Sequence, residues 1–189
     1  MRIISGKYRG RRIDNTLPPG IRPTTDSTKE TIFNILQNYI DFDNIRVADV
    51  CAGTGNLGFE ALSRGAGKCV FIDQSKRTCQ FILQSIKQLG LEKNEYEVEQ
   101  SDAVRFFKKE NDIESLKFDL IFMDPPYKEL LVNPIAGNIF KNNYLNENGI
   151  IVAECALGDG IALVEGYELL QEKKFGETKV MFIQKTSTN

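Results

Sequence analysis

The sequence predicts an α/β fold, a mostly parallel sheet with helices on both faces and an antiparallel hairpin at its carboxyl end. Two observations carry this. From Arg46 onward, short apolar runs alternate with stretches of helical periodicity, and such alternation builds parallel strands joined by crossover helices. Near the end, Phe175-Gly176-Glu177-Thr178 separates two strand-like runs closely enough for a hairpin. At 189 residues, with 41% hydrophobic and 26% charged content, the chain suits one soluble domain.

The elements follow in order. Pro18-Pro19-Gly20 marks a turn, and a helix begins near Thr25, where Ser27-Thr28-Lys29-Glu30 fits a capping box. Ile32, Phe33, Leu36, Tyr39 and Ile40 recur at helical spacing. Arg46–Cys51 reads as a strand, Leu57–Ser63 as a helix ending at Gly65, and Lys68–Asp73 as a strand. Ser75–Leu89 is an amphipathic helix stopped by Gly90. Tyr96–Gln100 is a strand, Ala103–Lys109 a short helix, and Phe118–Met123 a buried strand. A helix over Asn133–Asn143 and a strand over Gly149–Glu154 precede the hairpin, Glu168–Lys174 with Lys179–Gln184. Residues 1–24 form a basic arm and residues 25–189 the body.

Charge is unevenly spread. Residues 1–23 hold six basic groups against one acid, a net +5, which leaves −7 on the remainder of a chain whose total is −2. A basic arm on an acidic body points to a localised anion contact, with Arg9, Arg11, Arg12 and Arg22 as its candidates; a merely solvated terminus is the alternative. The chain has no histidine, which excludes His-based triads, His metal sites and imidazole bases. Cys51, Cys69, Cys79 and Cys155 show no metal-ligand or redox spacing and read as reduced, buried thiols. No apolar run approaches the roughly 18 residues of a membrane span, and the start lacks a signal-peptide core, so a cytoplasmic protein is expected.

Two motifs carry chemistry. Asp124-Pro125-Pro126-Tyr127 follows the Phe118–Met123 strand. Prolines cannot donate to a sheet ladder, so the chain leaves the sheet there. A carboxylate, free carbonyls and an aromatic ring then crowd a strand's carboxyl end, the edge where open α/β sheets bind ligands. The cluster suits a flat molecule bearing an NH₂ group: Asp124 and the Pro125 carbonyl each accept one N–H while Tyr127 stacks on the π-face. A solvated Pro-Pro turn is the plain alternative.

The second motif is Asp49-Val50-Cys51-Ala52-Gly53-Thr54-Gly55-Asn56-Leu57-Gly58, which joins the first strand to its helix and contains G-x-G-x-x-G. Asp73, 20 residues after Gly53, stands where an acid accepts hydrogen bonds from ribose hydroxyls. Asp102 ends the next strand, in reach of an adenine amine, or serves only as a helix cap. The candidate cofactor residues are Asp49, Cys51, Ala52, Gly53, Thr54, Gly55 and Asn56, then Asp73 with Gln74 and Ser75, then Asp102 with Ala103. A dinucleotide would set its pyrophosphate near Asp49, where a carboxylate repels it. S-adenosylmethionine, bearing an ammonium and a sulfonium, suits Asp49 better.

On these residues the chain resembles Rossmann-like (class I) methyltransferases, and more closely the RsmD family of small-subunit ribosomal RNA guanine-N2 methyltransferases. The resemblance runs nearly end to end. It covers the basic start Met1–Arg11, Arg22-Pro23-Thr24-Thr25-Asp26 with Lys29–Asn34, Gly58–Ala66, Asp124–Tyr127 and Lys174–Thr178. The Arg22 segment is the most specific of these. The resemblance implies a seven-stranded Rossmann-like sheet, S-adenosylmethionine as cofactor, and methyl transfer to guanine N2 of 16S ribosomal RNA. It further implies ribosomal RNA or an assembling small subunit as partner; the composition adds the expectation of no metal and no membrane, and a monomer is expected. A DNA adenine-N6 or other amino-group methyltransferase, a non-catalytic assembly factor that binds RNA, and a nicotinamide oxidoreductase are the competing readings.

Overall fold

The computed structural model describes residues 1–13, 24–108, 116–126 and 130–186. Arg22, Tyr127 and the end of the expected Ala103–Lys109 helix lie outside the described residues. Seven strands form one mixed sheet in the order β3-β2-β1-β4-β5-β7-β6. The contacts divide the chain into two compact units, Met1–Ser101 and Asp102–Asn189.

The first unit opens with residues 1–13 of the basic arm, which are folded. Arg2 and Arg12 form an antiparallel bridge, and Ile3, Tyr8 and Ile13 are buried. Helix α1 (Asp26–Leu36) follows, with Thr25 as its N-cap accepting the Thr28 amide at 3.1 Å. The cap therefore lies two residues before the expected Ser27 box. Strands β1 (Arg46–Val50), β2 (Lys68–Asp73) and β3 (Tyr96–Gln100) are parallel neighbours. Helix α2 (Asn56–Ser63) and helix α3 (Lys76–Leu89) supply the crossovers. Ser75 caps α3 at one end and left-handed Gly90 at the other, so the sequence signals and the structure agree there.

The second unit begins with Asp102, N-cap of the short helix α4 (Ala103–Phe107). Strand β4 (Phe118–Met123) is parallel to β5 (Leu145–Ala156), and helix α5 (Val132–Lys141) connects them. β5 then pairs antiparallel with β7 (Thr178–Lys185), which pairs antiparallel with β6 (Tyr167–Phe175). β5 is longer than the expected Gly149–Glu154. Its ladder with β4 shifts between Phe118 and Leu120, and Asn148 takes a left-handed φ of 61°. Asn146-Glu147-Asn148-Gly149 thus forms an irregularity inside β5 rather than a break before it. The core of this unit is Phe118, Leu120–Met123, Ile150–Ala153 and Val180–Ile183, all buried.

Candidate active site

The glycine turn is built by β1 ending in a left-handed residue, Cys51, with φ 56°. Gly53 (φ 53°) and Gly55 (φ 71°) continue it, and Gly55 caps α2 without a side-chain hydrogen bond. The third glycine of the motif does a different job from ligand approach. A Cβ on Gly58 would meet Phe71 Cε1 at 2.5 Å and Cys69 Sγ at 2.7 Å, so Gly58 lets α2 seat on β2. Its amide donates to Asp49 Oδ2 at 2.9 Å. Asp49 is buried, and this bond fixes the start of α2 against the end of β1.

Asp73 ties the turn to the next strand. Its Oδ2 accepts the Gly53 amide at 3.0 Å and its Oδ1 the Ser75 amide at 2.9 Å. Burial pushes its carboxyl proton affinity up, while the two backbone donors pull it down. Cys51, Gly53, Asp73 and Ser75 are half-buried and Gln74 is exposed, whereas Ala52, Thr54, Gly55 and Asn56 are buried. The accessible part of this half is therefore Cys51, Gly53 and Asp73–Ser75. Each Asp73 oxygen retains a lone pair beyond its backbone bond, which fits acceptance of ribose hydroxyls.

Asn56 turns inward. Its Oδ1 accepts Lys29 Nζ at 2.7 Å and its Nδ2 donates to the Thr24 carbonyl at 3.0 Å. Lys29 is fully buried and also donates to the Arg2 carbonyl at 2.6 Å. It lies 3.4 Å from Glu60 Oε2. Desolvation lowers the Lys29 ammonium's proton affinity and Glu60 partly restores it. Glu60 also accepts the amides of Ile4 and Ser5 at 2.8 and 3.0 Å and Arg64 Nε at 2.9 Å. This clamp fastens the arm, α1 and α2 together. Gly6 completes it, because a Cβ there would meet the Ser63 carbonyl oxygen at 1.7 Å. Sequence reasoning missed Lys29 and Glu60. The available signal was a lysine at helical spacing from Ile32, Phe33 and Leu36, on the buried face of α1.

The arm's arginines are not equivalent. Arg11 donates through Nη1 to the Leu89 carbonyl at 2.9 Å and through Nη2 to Gln88 at 2.5 Å. It thereby caps the carboxyl end of α3. Arg9 and Arg12 are exposed.

In the second unit, Asp102 is exposed and accepts the Arg105 amide at 2.8 Å, the helix-cap role. Ala103 is buried. Asp124 stands directly after β4, followed by buried Pro125 and exposed Pro126. No described residue donates a hydrogen bond to its carboxylate. Desolvation, and secondarily the charge of Glu154, push its pKa from the usual 3.8 up to about 7. Beside Pro126 lies a recess of about 170 Å³, walled by Leu130, Leu131, Val132, Cys155 and Ala156 among others. A larger and more polar groove of about 650 Å³ lies in the first unit, lined by Ser5, Gly6, residues 37–42 and Arg64. It contains none of the motif residues. No helix among the described residues is long and apolar enough to cross a membrane.

A family described as conserved hypothetical protein 95 matches residues 1–184. YlbH of Bacillus subtilis is 41% identical over 154 residues, 82% of each chain. "Ribosomal RNA small subunit methyltransferase D" of Haemophilus influenzae is 34% identical over 176 residues, 93% of this chain and 89% of that one. The solved structure of yhhF from Escherichia coli superposes with a TM-score of 0.86 at 28% identity, covering 100% of this chain and 99% of the other. With a match spanning nearly its whole length, the chain belongs to that family, the RsmD family of methyltransferases.

Proposed function

We propose that this protein transfers a methyl group from S-adenosylmethionine to the exocyclic N2 of a guanine in small-subunit ribosomal RNA. The observation that carries the reading is Asp124, a desolvated carboxylate at a strand tip to which no described residue donates a hydrogen bond. A desolvated carboxylate gains from N–H donors, and an incoming amine would supply them. The name of the Haemophilus influenzae relative supports ribosomal RNA methylation as the activity.

S-adenosylmethionine, when bound, supplies an electrophilic methyl group on a sulfonium. The groups that would hold it are the Cys51–Gly53 backbone, Asp73 with Gln74 and Ser75, and Asp102 with Ala103. Asn56 would contribute its backbone alone, since its side chain is engaged with Lys29 and Thr24. Asp49 would act through its field, one oxygen being held by Gly58. Asp124 and the Pro125 carbonyl would each accept one N–H of the base, drawing the nitrogen lone pair out of conjugation and aiming it. Once methylated, the amine is strongly acidic, and a carboxylate with a pKa of about 7 takes its proton readily. The Tyr127 ring would stack on an unpaired or flipped base, and the recess beside Pro126 would add aliphatic walls. Arg9, Arg12 and Arg22 would meet phosphates, each contributing about −0.7 to the single-strand log–log salt slope; Arg11 is already engaged at α3.

The test offers labelled S-adenosylmethionine to naked small-subunit RNA, partly assembled subunits and duplex DNA, then maps the labelled base. Label on a guanine N2 of the RNA is expected. Label on DNA adenine, or cofactor binding with no label anywhere, overturns the reading.

A further inference from the structure

The polar groove of about 650 Å³ lies where the carboxyl ends of α1 and α2 meet the arm. Arg64 caps the carboxyl end of α2, whose other end is Gly55 of the glycine turn. At about 1.5 Å per residue that axis spans about 13 Å, so the groove stands clear of the cofactor motif. The Arg64 side chain is only 7% exposed and stacks at 4.6 Å on the Phe33 ring. Its Nε donates to Glu60 Oε1 at 2.9 Å, while its two Nη groups donate to no described residue. The Gly6 amide and the Ser5 hydroxyl likewise donate to none. Lys29 and Arg64 both pair with the one carboxylate of Glu60. The cluster is thus short of negative charge.

The α1 side of the groove has a different character. Tyr39 is 40% exposed, and Asp41 is exposed with one oxygen accepting the Asp43 amide at 3.1 Å. A bare anion would be repelled by Asp41, and a simple cation by Arg64. A nucleotide satisfies both, because it carries a phosphate, a stacking face and N–H edges together. Cationic contacts to the backbone beside an aromatic platform are how single strands are held. The volume also falls in the range of about 300–1,000 Å³ for ligand sites. We propose that this groove binds a nucleotide of single-stranded RNA, its phosphate on Arg64 and Gly6 and its base on Tyr39. The nucleotide lies outside the target base, and the groove holds the RNA in addition to the exposed Arg9 and Arg12. Occupancy of the groove is independent of the guanine-N2 chemistry proposed above.

The probe is tetrauridylate, added to the full-length protein saturated with S-adenosylhomocysteine so that the adenosine site is closed. By NMR, the amides of Ser5, Gly6 and Tyr39 and the Arg64 Nε–H should shift together on one saturable curve. Tyr39→Ala should weaken that binding by about 5- to 150-fold, the range for losing one stacked base. Arg64→Gln should weaken it too, and reduce the log–log salt slope by about 0.7. Arg64 also belongs to the Glu60 clamp, so if Arg64→Gln fails to fold, the exposed Tyr39→Ala alone decides. Shifts confined to Arg9 and Arg12, no shifts at all, or unchanged affinity in either folded variant overturn the site. So does a groove that is silent toward the oligonucleotide yet shielded from hydrogen exchange by a subunit protein, which would make it a protein interface. No turnover is read, so failure here leaves the guanine-N2 reading to its own labelling experiment.

Discussion

Asp73 and Asp124 occupy matching places, one ending β2 and the other directly following β4, yet their surroundings treat them oppositely. Asp73 accepts two backbone amides, and those bonds join the glycine turn to the start of α3. Asp124 accepts none from any described residue and is held at a pKa of about 7. The first arrangement is tied into the backbone and keeps lone pairs that the proposed cofactor would use. The second has no donor among the described residues, and in the proposed reaction a base bearing an amine would supply one. A site of the first kind binds before and after reaction with little change. In the proposed role of the second, the cost of desolvation in the free protein would be recovered in contact with the reacting group, where it would add to the rate.

Mutations should separate the halves along that line. Asp124→Ala should lower kcat by about 10²–10³-fold, the range for losing one preorganised polar contact to a reacting group, while calorimetry finds S-adenosylmethionine affinity within about twofold of wild type. A comparable loss of cofactor affinity would break the contrast. Glu60→Ala should lower stability by about 3–5 kcal/mol, because it strands buried Lys29 and the amides of Ile4 and Ser5; a denaturant midpoint measures it. Gly58→Ala should remove about 1–3 kcal/mol by overpacking against Phe71 and Cys69. It should also weaken cofactor binding, since the same residue holds Asp49.

The smallest effect is in pH. Asp124 must be ionised to accept an N–H, so kcat/KM should rise about tenfold between pH 6 and 8 if its pKa of about 7 governs. Stability runs the other way. A carboxyl whose folded pKa is raised stabilises the protein below the unfolded value near 3.8, and that contribution is lost as pH climbs through about 7. Asp124→Asn, which cannot ionise, should therefore raise the melting temperature more at pH 8 than at pH 5. An equal shift at both values would show that Asp124 is not buried with its charge.

Much of the fold was legible because apolar runs and turn residues bracket the elements locally. β2, β3 and β4 begin and end where the sequence places them, and Ser75 and Gly90 punctuate α3 as expected. What failed to show depends on residues distant in sequence. The charged arm was read for its anion contacts, with a solvated terminus as the alternative, but Ile3, Tyr8 and Ile13 bury an irregularly spaced face that no periodicity reveals. Asn56 lies inside the glycine motif and was assigned to the cofactor. Its side chain instead meets Lys29, 27 residues away. Arg11 counted as an RNA contact by charge alone, whereas its planar fork matches the last carbonyls of α3. Asp124 was singled out by the two prolines after it, and it stands directly after β4.

The sheet's two outermost strands have a consequence for how molecules of this protein meet one another. β3 presents Glu97 and Glu99, and β6 exposes Glu168, Glu172, Lys173 and Lys174, with a break in its register between Leu169 and Gln171. An approaching copy that tried to add a strand would have to bury charge and match a kinked rim. Edge-to-edge addition of a second copy is thus disfavoured at both rims of the sheet.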